Sequence, residues 1–404
     1  MGLVACGGLI LLWEITKLPM LKANKKLVFN RIYLYIFMFS LYLILCLLIT
    51  NKTYGELNNI YFISMFVIFA ISFFIYKYYY ENKDYKMLGL IALVSIICLA
   101  VGSITTLIYL EINPMLSKSI TQAGMTNLAE YLKVGIGSFG FMYLVMFSLI
   151  PTIMLIFNKN KAFIKFFSIL VVIVFINVLI KGGFSTAILI SVFGIVYYLL
   201  PKTKNKITIL IINCISVIII VVLKNSIGKV LIDISNSLDM SKMVSQRLSD
   251  VGYFILSGDE GYNINLRIER LNWSIQSFLH NPVFGYNMVS NNLKIIKPGG
   301  HADWIDMFAF YGIIGGLPIF LFITNCIKYI IMSLKNAVLK NCYNVVVFQF
   351  IIYGFIDPFL HIYHIGFAMF LIVPSIFYLP YIFQIKEKNN ESTMDFQRNI
   401  ARYS

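Results

Sequence analysis

Arginine and histidine are scarce in this chain, six and four among 404 residues, and they gather in one place. Between Asn265 and Gly316 stand Arg267, Arg270, His280 and His301, with the carboxylates Glu269, Asp303 and Asp306. Guanidinium forks bind phosphate or carboxylate in a bidentate way that lysine does not reproduce. Arg267 and Arg270 are three apart, so they share one helix face; they suit an anion site, or pairing with Glu269 or lipid phosphates. His301 follows Gly299-Gly300 at a helix start, a place that suits a positioned acid–base group or hydrogen-bond donor. Asp303 and Asp306, at i and i+3, read either as a shared metal site or as solvated acids favoured by the helix dipole. Two carboxylates without His or Cys support are thin evidence for a metal, so the second reading is preferred. His361 and His364 read as helix-end caps or headgroup contacts.

The elements that must position these groups belong to a membrane. Hydrophobic residues make up 59% and charged residues 13%, against about 25% charged in a soluble domain; the mean hydropathy is +0.81. Apolar runs of span length alternate with short lysine-rich loops, the mark of a polytopic helical protein, and they do not alternate residue by residue as a β-barrel would. The net charge of +15 comes from lysines at helix ends, which argues against a nucleic-acid partner. Cys6, Cys46, Cys98, Cys214, Cys326 and Cys342 show no CxxC spacing and read as small hydrophobes, without disulfides or zinc.

Ten spans are expected, near 32–50, 60–76, 87–110, 134–157, 163–180, 185–200, 207–223, 305–327, 343–356 and 362–383. Residues 2–13 are an eleventh span or an interfacial segment. Lys17, Lys22, Lys25, Lys26 and Arg31 mark 17–31 as cytoplasmic. The clusters Lys159, Lys161, Lys165 and Lys202, Lys204, Lys206 then fall on the same side. The expected organisation is a bundle over 1–223, an extracytoplasmic loop over 224–304, further spans over 305–385 and a cytoplasmic tail over 386–404. That loop of about eighty residues is unusually long. Its first half has the spacing of an amphipathic surface helix. A second helix runs from 265 to about 279 and stops at Asn281-Pro282. Pro298-Gly299-Gly300 is a turn that delivers His301 to the next span. The loop also holds Arg247, so three arginines lie outside against the positive-inside tendency.

There is no P-loop, GxGxxG, HExxH or DxD, so no nucleotide-sugar domain and no motor ATPase is visible. A substrate delivered within the membrane fits this.

Arg267-Ile-Glu269, then Asn281-Pro282-Val-Phe-Gly285, then His301 and Gly312-Ile-Ile-Gly315 resemble the O-antigen polymerase and O-antigen ligase family. In that family an outer-loop arginine precedes a helix ending in a Pro-x-x-Gly turn, and a histidine leads a span with a Gly-rich repeat. Lys181-Gly-Gly-Phe-Ser185 resembles another span start of the family, with Lys181 in place of its arginine. Ala302 and Asp303 follow the histidine where the family has Asn and Ser, and Trp273 lies two places late.

The resemblance implies a GT-C-like integral-membrane glycosyltransferase of the bacterial inner membrane, active on its extracytoplasmic face. Donor and acceptor would be undecaprenyl-diphosphate-linked glycans, handled beside a flippase and a chain-length regulator. Inversion would proceed without metal or cofactor. Arg267, Arg270, Lys181 and Arg247 would bind the diphosphate. His301 would orient the acceptor hydroxyl or the diphosphate, with Asp303 or Glu269 as base. The expected activity is polymerisation of repeat units into O-antigen, capsule or exopolysaccharide; the alternatives are ligation of O-antigen to lipid A-core, or a polysaccharide flippase. A transporter should carry mid-membrane charges along inverted repeats, and neither is visible.

Overall fold

The computed structural model describes residues 31–50, 60–112, 117, 135–158, 161–199, 224–237, 245, 249, 252–253, 256, 262–288, 296–334, 336–360 and 362–383. Among them all regular structure is helical. The helices are α1 (Arg31–Thr50), α2 (Ile60–Glu81), α3 (Tyr85–Ile112), α4 (Phe139–Phe157), α5 (Ala162–Gly182) and α6 (Ser185–Leu199). They continue as α7 (Lys224–Ser237), α8 (Tyr262–His280), α9 (Asp303–Ser333), α10 (Ala337–Ile356) and α11 (Tyr363–Phe367). A π-helical turn (Ala368–Ile372) joins α11 to α12 (Val373–Ile376).

Six of these, α1, α3, α4, α5, α9 and α10, are long and apolar enough to cross a bilayer. The protein is therefore a multi-pass helical membrane protein. Thr186–Tyr198 and His364–Ile376 are shorter apolar helices. The expected span at 207–223 lies outside the described residues, as does Arg247. Two departures from the expected spans have local causes. The helix expected from 134 begins at Phe139, because Gly135 takes a positive φ and the Gly137 N–H donates to Thr106 Oγ1 at 2.8 Å. The stretch expected as the last span, 362–383, contains a π turn before Pro374. Proline has no N–H to return to the carbonyl four residues back, and a wider turn accommodates the gap.

The chain divides into two compact units. One comprises Ser72–Tyr198, Ser333–Gln349 and Phe367–Ser404. Its core is α4, which is apolar all round because it is enclosed: from Met142 to Pro151 every side chain is buried. Gln349, also buried, donates from Nε2 to the Ile190 carbonyl at 3.1 Å. Lys181, at the end of α5, pairs with Glu111 at 3.1 Å.

The other unit comprises Met1–Ile71, Leu199–Met332 and Phe350–Gly366, and it holds α1, α8 and most of α9. Here α9 is broken at Gly312, whose φ of 60° and ψ of −168° are a conformation essentially open only to glycine. A break inside a span frees backbone groups that lipid cannot satisfy. The turn after α8 satisfies them: Ile313 N–H donates to the Pro282 carbonyl at 2.8 Å, and Ile314 N–H to the Val283 carbonyl at 3.1 Å. Close approach requires glycine on both sides. A Cβ on Gly312 would lie 2.6 Å from Gly285 N, and one on Gly285 would lie 2.5 Å from the Phe310 carbonyl oxygen. Tyr42 of α1 closes the joint, donating from its hydroxyl to the Phe284 carbonyl at 2.6 Å while its ring meets Tyr311 edge-on. Thus Asn281–Gly285 and Gly312–Gly315, far apart in sequence, form one interlock.

Candidate functional site

The residues Arg267, Arg270, Ser274, Ser277 and Asn281 succeed one another at intervals of 3, 4, 3 and 4, which places them on one face of α8 and the turn that ends it. This polar face packs inward: Ser274 and Ser277 are wholly buried. Asn281 turns the chain, donating from its side chain to the Gly285 carbonyl at 3.1 Å.

Arg267 reaches the end of α10. Its Nη1 donates to the Ile356 carbonyl at 2.9 Å, and its Nη2 lies 3.4 Å from Asp357 Oδ1. Carbonyls in the last helical turn lack intrahelical donors and attract cations, so the guanidinium caps α10 and pairs with a buried acid together. The expected alternative partner, Glu269, is exposed on another face of α8. Asp357 was not anticipated as part of the site. The signal for it was present: it is the lone carboxylate between Asp306 and Glu387, in an apolar stretch where a charge needs a partner.

Arg270 meets His301. Its Nη1 contacts Nε2 of the imidazole. An arginine only donates, so Nε2 is the acceptor in this contact. The Gly299-Gly300 turn makes this possible. A Cβ on Gly299 would stand 2.6 Å from that of Arg270, and Gly300 has a φ of +72°.

Ser274 ties this turn to the first turn of α9. Its hydroxyl accepts from Gly299 N–H at 2.8 Å and faces both the Arg270 carbonyl, at 3.1 Å, and Asp306 Oδ1. Asp306 Oδ2 accepts from Ala302 N–H at 2.7 Å, and Asp303 Oδ2 accepts from Leu360 N–H. The reading of Asp303 and Asp306 as solvated acids is therefore corrected: both are wholly buried. They do lie at a helix N-terminus, where the dipole favours them. Protein donors replace water, the Ala302 N–H and Ser274 hydroxyl for Asp306 and the Leu360 N–H for Asp303, and a partner 57 residues away, as Leu360 is, leaves no local trace in sequence.

Of the residues singled out from sequence, Arg270, His301 and Asp306 are thus linked through Ser274, while Arg267 pairs with Asp357 at the end of α10 and Asp303 holds the Leu360 N–H. Lys181 lies in the other unit, in its pair with Glu111. His280 is exposed, His364 is half-buried on α11, and His361 is outside the described residues. Among the described residues no group of three His, Cys, Asp or Glu is placed to hold a metal.

What a ligand would meet is decided by exposure. Asp303 and Asp306 are sealed, and Asp357 keeps 4% of its side chain exposed against 37% for Arg267. On this face of α8 an approaching anion therefore meets the held Arg267 guanidinium before Asp303, Asp306 or Asp357. Compared with known proteins, the chain matches no family model and no curated sequence.

Proposed function

We propose that this chain is a membrane glycosyltransferase that polymerises undecaprenyl-diphosphate-linked oligosaccharide repeat units into a surface polysaccharide. The active site would lie on the extracytoplasmic face of the bacterial inner membrane. The observation that carries the reading is the pair of arginines on one face of α8, Arg267 held by the end of α10 and Arg270 by His301 just before the span α9. A leaving group that is both a diphosphate and anchored in lipid needs such a pair at such a place.

In the reaction, a hydroxyl of the acceptor glycan attacks the anomeric carbon of the donor. The bond from that carbon to the diphosphate oxygen breaks, and the diphosphate departs with the electron pair. Arg267, oriented by the Ile356 carbonyl and Asp357, faces the charge as it develops; a donor already in place costs no reorganisation at that moment. His301 holds Arg270 in the same field and so orients the diphosphate. Asp303, bonded to Leu360 N–H, serves the frame in this reading, and the exposed Glu269 is the base that takes the proton of the attacking hydroxyl.

The test is extension of a lipid-linked repeat unit by purified protein in detergent, read as a chain-length ladder. Arg267→Lys should fail nearly as badly as Arg267→Ala, because a point charge lacks the fork. His301→Ala should leave single repeat units on the carrier, a loss of about 10²–10⁴-fold. Wild-type ladders from both alanine variants, at normal expression, would remove these residues from any mechanism.

A further inference from the structure

Beyond the transferase reading, and independent of it, the packing of α8 along α9 bears on where α8 lies. Contacts between α8 and α9 form successive rungs. Ser274 bonds Asp306, the rings of Phe278 and Phe308 lie 6.4 Å apart, and the Pro282 and Val283 carbonyls accept from Ile313 and Ile314. Residue numbers climb together on both sides, so the two segments run side by side in the same direction. From Asp306 to Ile314 is eight residues, about 12 Å along a helix, and the turn after α8 descends that far with α9. An independent measure comes from α1, whose Tyr42 bonds the same turn. Tyr42 lies eight residues before the end of that span at Thr50, again about 12 Å from its terminus.

The surface of α8 fits such a descent. Besides the inward polar face there is an apolar stripe, Ile268, Leu271, Ile275 and Leu279, at helical spacing. It is half-buried at Ile268 and Leu271, then increasingly bare: 38% exposed at Ile275 and 69% at Leu279. It continues into Val283 and Phe284, 46% and 42% exposed, beside Ile313 and Ile314 at 47% and 43% on the outer face of a span. Glu269, Asn272, Gln276 and His280 form a separate exposed polar stripe.

We propose that α8 and its turn are a re-entrant element that enters the bilayer beside α9 and returns to the same face. Its edge of Ile275, Leu279, Val283 and Phe284 is bathed by lipid acyl chains, continuous with the lipid-facing surface of α9. The polar stripe faces water. Non-helical backbone at this depth is tolerable because the Gly312 joint satisfies it.

Electron paramagnetic resonance on the full-length protein in phospholipid vesicles tests this. Nitroxides are placed one at a time through Ile268→Cys, Ile275→Cys, Leu279→Cys, Val283→Cys and Gln276→Cys, with Ile44→Cys as a mid-span reference and native cysteines replaced. Collision with oxygen relative to a water-soluble nickel chelate should rise from 268 through 275 to 279. At 283 it should equal the value at 44, while nickel dominates at 276. Should the cysteine-free background lose its fold, Leu279→Trp and Gln276→Trp in the otherwise native chain read the same contrast through quenching by acyl-brominated lipid. A flat ratio along the series means a helix lying on the surface, and overturns the proposal. So does nickel access at 279 and 283, or protection there from both reagents, which would mean a covering protein or second copy. None of these outcomes bears on the ladder assay, so the two readings fail separately.

Discussion

Replacing Gly312 by alanine tests whether the break in α9 is built or incidental. Two costs add. Alanine at a φ of 60° and ψ of −168° occupies a region that essentially only glycine uses, worth about 1–3 kcal/mol. The new Cβ would stand 2.5 Å from the Val283 carbonyl carbon and 2.6 Å from Gly285 N. Backbone cannot swing aside as a side chain can, and such overpacking costs about a further 1–3 kcal/mol. Gly300→Ala is the control. Its φ is also positive, at +72°, but nothing lies within 4 Å of the added carbon, so only strain of about 1–2 kcal/mol is due. The measurement is equilibrium unfolding in mixed micelles of rising SDS fraction, followed by far-ultraviolet circular dichroism. Gly312→Ala should be the more destabilised of the two. Gly285→Ala disrupts the same joint from its other side, so the double variant should cost less than the sum of the singles. Equal stabilities for Gly312→Ala and Gly300→Ala would refute the interlock, and strict additivity with Gly285→Ala would refute the coupling.

Two further outcomes are expected. Asp357 is read as acting through Arg267, so Asp357→Asn should lower chain extension in the ladder assay, and adding it to Arg267→Ala should lower it no further; a double variant much worse than Arg267→Ala would make Asp357 a catalytic group in its own right. For orientation, Ser257→Cys should label with an impermeant thiol reagent on intact cells and Lys204→Cys should not; the opposite pattern would invert the assignment of faces.

Residues with local causes were legible in the sequence, and those with distant causes were not. The helix expected from 265 to 279 is present as Tyr262–His280, stopping where Asn281-Pro282 forbids continuation. The start of α9 behind Gly299-Gly300 was equally readable, because the turn and the N-terminal acids are neighbours in the chain. The buried state of Asp303 and Asp306 was not, since charge near a helix start looks the same whether water or a remote donor, Leu360 N–H for one and the Ser274 hydroxyl for the other, receives it. Nor was the kink at Gly312. A single glycine in an apolar helix is common, and only the carbonyls of Pro282 and Val283 turn it into a joint.

The polar face of α8 was half seen. Arg267 and Arg270 drew notice by scarcity, while Ser274, Ser277 and Asn281 continue the same periodicity with residues too ordinary to stand out. Their arrangement explains why a helix rich in polar groups can enter apolar surroundings. Ser274 bridges Gly299 and Asp306, and Asn281 bonds within its own turn. Each such bond contributes little by itself, about 0.5–1.5 kcal/mol, but a buried group without one costs more. The same bonds set the register between α8 and α9. That register brings Arg270 to His301 at one end and the Pro282–Gly285 turn to Gly312 at the other. A one-turn slip of α8 along α9 would break both together. The membrane depth of the turn and the geometry of the arginine–histidine pair are therefore one structural property.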